Sequence, residues 1–176
     1  MQVSDSYPAS GIRAARGCFH REMEAQERIT ALIPHLRRYA RALAATGVAP
    51  DELVRVTLER AVQDMTLATA QADLRVWLFS LLHETYVASA AGREAAAGAV
   101  ARAAGETGGA AFERAIATLP PLQREIFLLV TLEDMSYEQV AKTLDIPIGT
   151  VMSRLSRARE KLRLVLMKEV RLRQVK

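Results

Sequence analysis

Apolar residues recur along much of this chain at spacings of three and four, the signature of helices with one buried side. Ile29, Leu32, Ile33, Leu36, Tyr39, Ala40 and Leu43 form the first stripe. It belongs to a helix expected to begin near Glu24 and close at Gly47, with Pro34 marking a start or a kink inside it. Pro50, Asp51 and Glu52 open a second helix: proline fits a first turn, and carboxylates favour the positive end of the helix dipole. Its expected buried side is Leu53, Val54, Thr57, Leu58, Ala61 and Val62. A third helix from about Ala72 turns Leu74, Trp77, Leu78, Leu81, Leu82 and Tyr86 inward. Three such helices bury one another as a small bundle.

The pattern then fades. Ala88 to Ala111 is mostly Ala and Gly, and Gly105, Gly108 and Gly109 argue against a rigid helix, so this stretch reads as a flexible linker. Periodicity returns with Ala115, Ile116 and Leu119, which end at Pro120-Pro121, and with Leu122, Ile126, Leu129 and Val130. Ser136 is placed to cap a further helix, with Gln139 completing a capping box. Asp145-Ile146-Pro147 breaks that helix. In the next one Val151, Leu155, Ala158 and Leu162 form an apolar stripe, while Thr150, Ser153, Arg154, Arg157 and Lys161 share another face. Two short helices joined by a tight turn, the second with a small, hydroxylated and cationic face, suit a DNA groove. Arg154 and Arg157 are the candidates for guanine or phosphate, Thr150 and Ser153 lie near the helix start, and Arg159 and Lys161 are expected to position the backbone. The expected fold is all-α: a leader over 1–22, a three- to four-helix domain over 23–90, a linker over 91–111 and a helix-turn-helix domain over 112–176. Leu162, Val165, Leu166 and Val170 extend the last apolar side into the tail, which reads as a helix end packed on its own domain.

Composition narrows the function classes. The 176 residues fit one medium domain or two small ones, and only 5% are aromatic, which favours packed helices over sheets. The net charge of +4 is unremarkable, but Lys and Arg dominate from Arg154 to the C-terminus, the footprint expected beside a polyanion. The lone Cys18 permits no internal disulfide, and with no secretion signal or membrane span a cytoplasmic location is expected. His20, His35 and His83 are scattered without metal-site spacing; His35 reads as a helix-surface residue. Trp77, on an apolar stripe, reads as core rather than as a DNA-stacking residue. No nucleophile motif or nucleotide fingerprint is present, so neither an enzyme nor a cofactor, metal or small-molecule substrate is expected.

Two segments carry a family resemblance. Leu119-Pro120-Pro121-Leu122-Gln123-Arg124-Glu125, Met135 to Ala141 and Ile146 to Leu162 closely resemble the C-terminal, −35-reading domain of extracytoplasmic-function sigma factors. Leu36 to Leu43, Asp51 to Val54, Thr57 to Ala61 and Leu74 to Phe79 resemble the family's other domain, in its general-stress branch. The resemblance implies a subunit of bacterial RNA polymerase that directs transcription initiation. It would dock on the core enzyme's clamp through Asp51, Glu52, Leu53, Val54 and Leu58, bind promoter DNA, and be held by an anti-sigma factor. The chain departs from the family at Arg55-Val56, where a Gln-Glu pair is usual, and at His83 to Ala90, where basic and amide residues usually meet the −10 element. The second departure keeps open a different role, a sigma-like decoy or modulator that binds an anti-sigma factor or polymerase without opening promoters.

Overall fold

The structure, a computed structural model, describes the backbone of residues 9–43, 49–91 and 110–174; within these spans, side chains are described from residue 21 onward except at 67, 90–91, 110–111, 113 and 168–174. Among the described residues there are eight α-helices and no strand. They are α1 Ala9–Leu43, α2 Pro50–Gln63, α3 Met65–Ala70, α4 Leu74–Ala91, α5 Ala110–Ala117, α6 Pro121–Thr131, α7 Tyr137–Thr143 and α8 Ile148–Gln174. The expected closure at Gly47, residues 1–8 of the leader and most of the Ala/Gly linker lie outside the described residues.

The stripes found by periodicity form the core. Ile29, Leu36, Tyr39, Ala40 and Leu43 of α1 are buried, as are Leu53, Val54, Thr57 and Ala61 of α2. Tyr39 meets Phe79 of α4 edge-on, with ring centroids 5.4 Å apart. Four local expectations give way. The leader is helical from Ala9, because its alanines and arginines are good helix formers despite the absence of an apolar stripe. Helix α1 runs through Pro34, whose missing N–H leaves one carbonyl of the preceding turn without its helical partner. Val62 is 62% exposed, because it falls on the same strip of α2 as Arg55 and Glu59, which pair with each other along the helix. Trp77 is only partly buried, packed against the core from its edge.

Helix α4 explains the rest of the arrangement. Leu74, Val76, Leu78, Phe79, Leu81, Leu82 and Tyr86 are all buried, so it is apolar nearly all round and has no wet face over most of its length. Such a helix must be covered on more than one side. On one side it packs against α1 and α2; on another it packs against α7, while α1 also touches α6. The N-terminal bundle (α1–α4) and the C-terminal helices (α5–α8) therefore share one continuous apolar core.

Candidate nucleic-acid interface

The helix-turn-helix is built from α7, a turn over Leu144–Pro147 and α8. Helix α7 starts on a complete capping box: Ser136 Oγ accepts from the backbone N–H of Gln139 at 3.2 Å, and Gln139 Oε1 accepts from the N–H of Ser136 at 3.0 Å. The reversal is made by Asp145 at φ 49°, a left-handed conformation that Asp adopts more readily than most residues. Ile146 then closes onto the carbonyl of Ala141 at 3.0 Å, and Pro147 presents its carbonyl to the N–H of Thr150 at 2.8 Å, which starts α8.

Helix α8 divides as its periodicity predicts. Val151, Leu155, Ala158 and Leu162 are buried. Gly149, Ser153 and Arg157 run down the middle of the opposite, exposed face, with Thr150 and Arg154 half-buried along one flank and Met152 and Arg159 exposed along the other. The Ser153 hydroxyl donates to the carbonyl of Thr150 at 3.2 Å. Among the described residues, Arg154, Arg157 and Arg159 enter no hydrogen bond or ion pair with the protein, so their donors face outward. Lys161 differs: its Nζ donates to the carbonyl of Thr118 at 2.6 Å and ties α8 to the end of α5. Glu160 and Arg163 pair with each other farther along, which lowers the Glu160 carboxyl below its ordinary range chiefly through the Arg163 hydrogen bond. Ile148 and Met152, 42% and 55% exposed, add an apolar edge to the face that the polar pattern did not suggest. Gly149 sits in the first turn, and a Cβ there would meet no atom within 4 Å, so packing does not demand glycine.

The segment expected to carry the motif's Leu-Pro-Pro-Leu-Gln-Arg sequence supports α8 from below. Leu119 is buried, and Pro121 opens α6. Arg124, also buried, donates to the carbonyls of Ile116 at 3.2 Å, Ala117 at 2.7 Å and Leu119 at 3.0 Å. It caps the end of α5, and burial lowers its pKa although contact with Tyr86 opposes this.

The residues anticipated for docking divide by exposure. Asp51 and Glu52 are exposed at the start of α2, and Leu58 is partly buried. Leu53 and Val54 are each 3% exposed and lie in the bundle core, where they fix the orientation of the helix from beneath. Glu52 accepts from Arg55 Nε at 2.9 Å, and Arg55 also bonds Glu59, so the departure at Arg55 creates a zwitterionic strip beside the acidic start.

Two histidines have roles that the sequence did not reveal. His83 Nδ1 donates to Glu125 Oε2 at 2.6 Å, and His35 Nδ1 lies 2.8 Å from Glu133 Oε2. Each pair joins the N-terminal bundle to the C-terminal helices. The partners are 42 and 98 residues apart in sequence, so no local signal could have matched them.

Residues 109–162 match the family profile "Sigma-70, region 4", and residues 29–83 match "Sigma2 domain of PhyR". The chain is 34% identical over 145 residues to the ECF RNA polymerase sigma factor EcfG of Rhodopseudomonas palustris, covering 76% of this chain and 80% of that protein. It is 42% identical over 55 residues to the ECF RNA polymerase sigma factor SigE of Mycolicibacterium smegmatis, covering 31% of this chain and 21% of the other. Its fold superposes on the sigma factor RpoE of Bartonella quintana, solved with the anti-sigma factor NepR, with a TM-score of 0.72, 26% identity and coverage of 81% of this chain and 96% of that one. It also resembles the PhyRSL–NepR complex from Sphingomonas sp. Fr1, with a TM-score of 0.61, 26% identity and coverage of 78% of this chain and 85% of that one.

Proposed function

The chain belongs to the extracytoplasmic-function RNA polymerase sigma factors, in their general-stress-like branch, and from that membership we propose how its residues do the work. It directs bacterial RNA polymerase to promoters for transcription initiation. The helix-turn-helix enters the major groove at the −35 element with α8. Arg154 and Arg157 contact guanine edges or phosphates, Thr150 and Ser153 contact the groove near the helix start, and Arg159 contacts the flanking phosphate backbone. Lys161 has one donor committed to Thr118 and two left for phosphate. The observation that carries this reading is the outward, unpaired cationic face of α8 set over a fully buried apolar stripe. A purely structural helix would pair such arginines or spread them evenly.

The core enzyme's clamp is met by the exposed start of α2, through Asp51, Glu52 and Leu58, with Leu53 and Val54 holding that surface in place. Its regulator is an anti-sigma factor of the kind bound to RpoE and PhyRSL, and it acts in the cytoplasm by binding rather than by catalysis. The experiment is run-off transcription with core polymerase on promoter fragments from the source genome: specific transcripts that vanish with Arg154→Ala plus Arg157→Ala are expected, and their absence under all conditions sinks the proposal.

One observation favours a second reading. His83 and Glu84 stand where the family's −10-reading cations usually lie, and the N-terminal match is to the sigma-like domain of PhyR. A decoy would bind an anti-sigma factor yet show no preference for a −35 duplex, so the same fragments in an equilibrium binding assay separate the two. The match across most of a sigma factor's length favours the first.

A further inference from the structure

Helix α8 is the last of the C-terminal lobe, α5–α8, which packs on the N-terminal lobe, α1–α4. Its first two turns expose two large apolar side chains, Ile148 and Met152. Four residues apart on one helix, they are neighbours and form a short apolar strip. Neither belongs to the core, which α8 joins through Val151, Leu155, Ala158 and Leu162. Folding therefore gives no reason for them. A single exposed Ile or Met needs no explanation, but these two lie at the end of the helix that the −35 reading puts into the major groove.

The surroundings of Met152 suit close approach to another surface. Gly149 and Ser153 lie next to it on the outward face. Gly149 has no side chain, and Ser153 turns its hydroxyl hydrogen onto the carbonyl of Thr150 at 3.2 Å, so the helix surface there is low. On its other side Met152 forms one wall of an open groove of about 360 Å³, with Tyr137 of α7 and Ser156 and Arg159 of α8 as neighbours. The side chain has room to swing, and methionine, unbranched with three rotatable bonds, adapts to the apolar shape it meets. Arg157 and Arg159 are exposed farther along the helix. Phosphate contacts from those cations would set the height at which the helix start lies over the base edges.

We propose that Met152, with Ile148 beside it, reads the C5 methyl group of a thymine in the −35 element and so selects a T·A pair at the position it faces. The inference deepens the −35 reading given above and rests on it. The base edges in the major groove are donors and acceptors apart from that methyl, which is the apolar group a side chain can find there. Arginine and serine side chains read the donors and acceptors; a thioether chain fits the methyl. Over any other edge Met152 would displace water without offering a hydrogen bond, which costs free energy. One side chain thus favours thymine and penalises its replacement.

Position along the helix singles out this pair. Leu164 and Met167 of α8 are exposed to a similar degree. At 1.5 Å per residue, however, Leu164 lies about 18 Å beyond Met152, more than the ~12 Å width of the major groove. Ile148 and Met152 are about 6 Å apart along the axis, so the strip can touch no more than about two neighbouring base pairs at 3.4 Å per step. Thr150 and Arg154 lie on the opposite flank of the helix. The polar readers and the apolar one therefore address different edges and do not compete for one base.

The test uses the full chain and a −35 duplex from a promoter returned by the run-off assay, with the thymines of both strands replaced one at a time by deoxyuridine. That exchange removes the methyl and leaves every hydrogen-bonding group in place. At one position, or at two adjacent ones, the parent should bind about fourfold more weakly, the worth of one buried methyl. In Met152→Ala the same exchange should leave binding unchanged. Met152→Leu, still apolar, should keep the penalty, and Met152→Gln, similar in length but polar at its end, should lose it. All three should melt with the parent, because the residue is exposed. If no thymine shows a penalty, or if the penalty persists undiminished in Met152→Ala and in Met152→Ala plus Ile148→Ala, the inference is overturned, and the methyl acts through duplex shape or another side chain. A parent that binds the unmodified duplex no better than a scrambled one would overturn the −35 reading itself, and this inference with it.

Discussion

A single arginine on α8 decides how much of the DNA contact is readout and how much is attraction. If Arg157 holds a guanine edge through two donors, Arg157→Ala should cost about 1–3 kcal/mol on the cognate duplex and nearly nothing on a scrambled one. If it holds a phosphate, the loss should be similar on both and the slope of log affinity against log salt should fall by about one. Fluorescence anisotropy over a salt series separates these outcomes, and the same series applies to Arg154→Ala. Gly149 offers the complementary test at the backbone. A Cβ there would meet nothing within 4 Å, so Gly149→Ala should raise stability by roughly 0.5–1 kcal/mol in thermal unfolding. If the first turn of α8 comes close to the sugar-phosphate backbone, the same substitution should weaken −35 binding while the protein melts later. Opposite signs in the two assays would identify close approach as the reason for glycine.

At the scale of the element, the capping box of α7 is both local and long-range. Ser136→Ala removes one acceptor from the helix start and should cost about 1 kcal/mol in denaturant unfolding. Gln139→Ala should cost more than a cap alone, because Gln139 also bonds Asp73 across the lobes. That bond, together with the N–H groups of Val76 and Arg75, outweighs burial and holds the Asp73 carboxyl below its ordinary range. The cap was legible in the sequence because it is a fixed spacing between a hydroxyl and an amide; the Asp73 partnership was not, since nothing local relates positions so far apart. The same division runs through the molecule. The stripes of α1, α2, α4 and α8 follow from a period of 3.6, and most of their residues are buried. No periodicity argument places Arg124, Glu125 or Glu133, and all three are buried, because their partners are carbonyls and side chains that only the tertiary fold supplies. Val62 failed in the opposite sense: an apolar residue at the edge of a stripe was counted as core, although one more step around the helix places it with charged neighbours.

For the whole molecule, the contact between lobes should respond to pH, with a sign set by His83. The groups around its imidazole are Glu125 from α6 and Glu84 from its own helix, with Arg60 of α2 bonded to Glu84 at 2.7 Å and Arg124 beside Tyr86 one turn away. The Glu125 hydrogen bond raises the His83 pKa above its ordinary value against the opposing effect of burial, and the Glu84 charge adds to the rise. Separation of the lobes removes Glu125 and returns His83 toward the ordinary value. A group whose pKa is higher in the closed state binds its proton more tightly there. Its contribution to closure is therefore fully present below about pH 6.5, the unperturbed value, and is lost as pH rises through the raised one. With one dye on each lobe, at the exposed positions Gln63→Cys and Ser156→Cys in a Cys18→Ser background, the open fraction should grow as pH rises from about 6.5 through the raised pKa. The assignment rests on the difference between the parent and His83→Gln, which keeps a donor but cannot titrate. That difference should flatten above the raised pKa and widen below it. A parent and variant that open in parallel across the whole range would remove His83 from the control of the contact between the lobes.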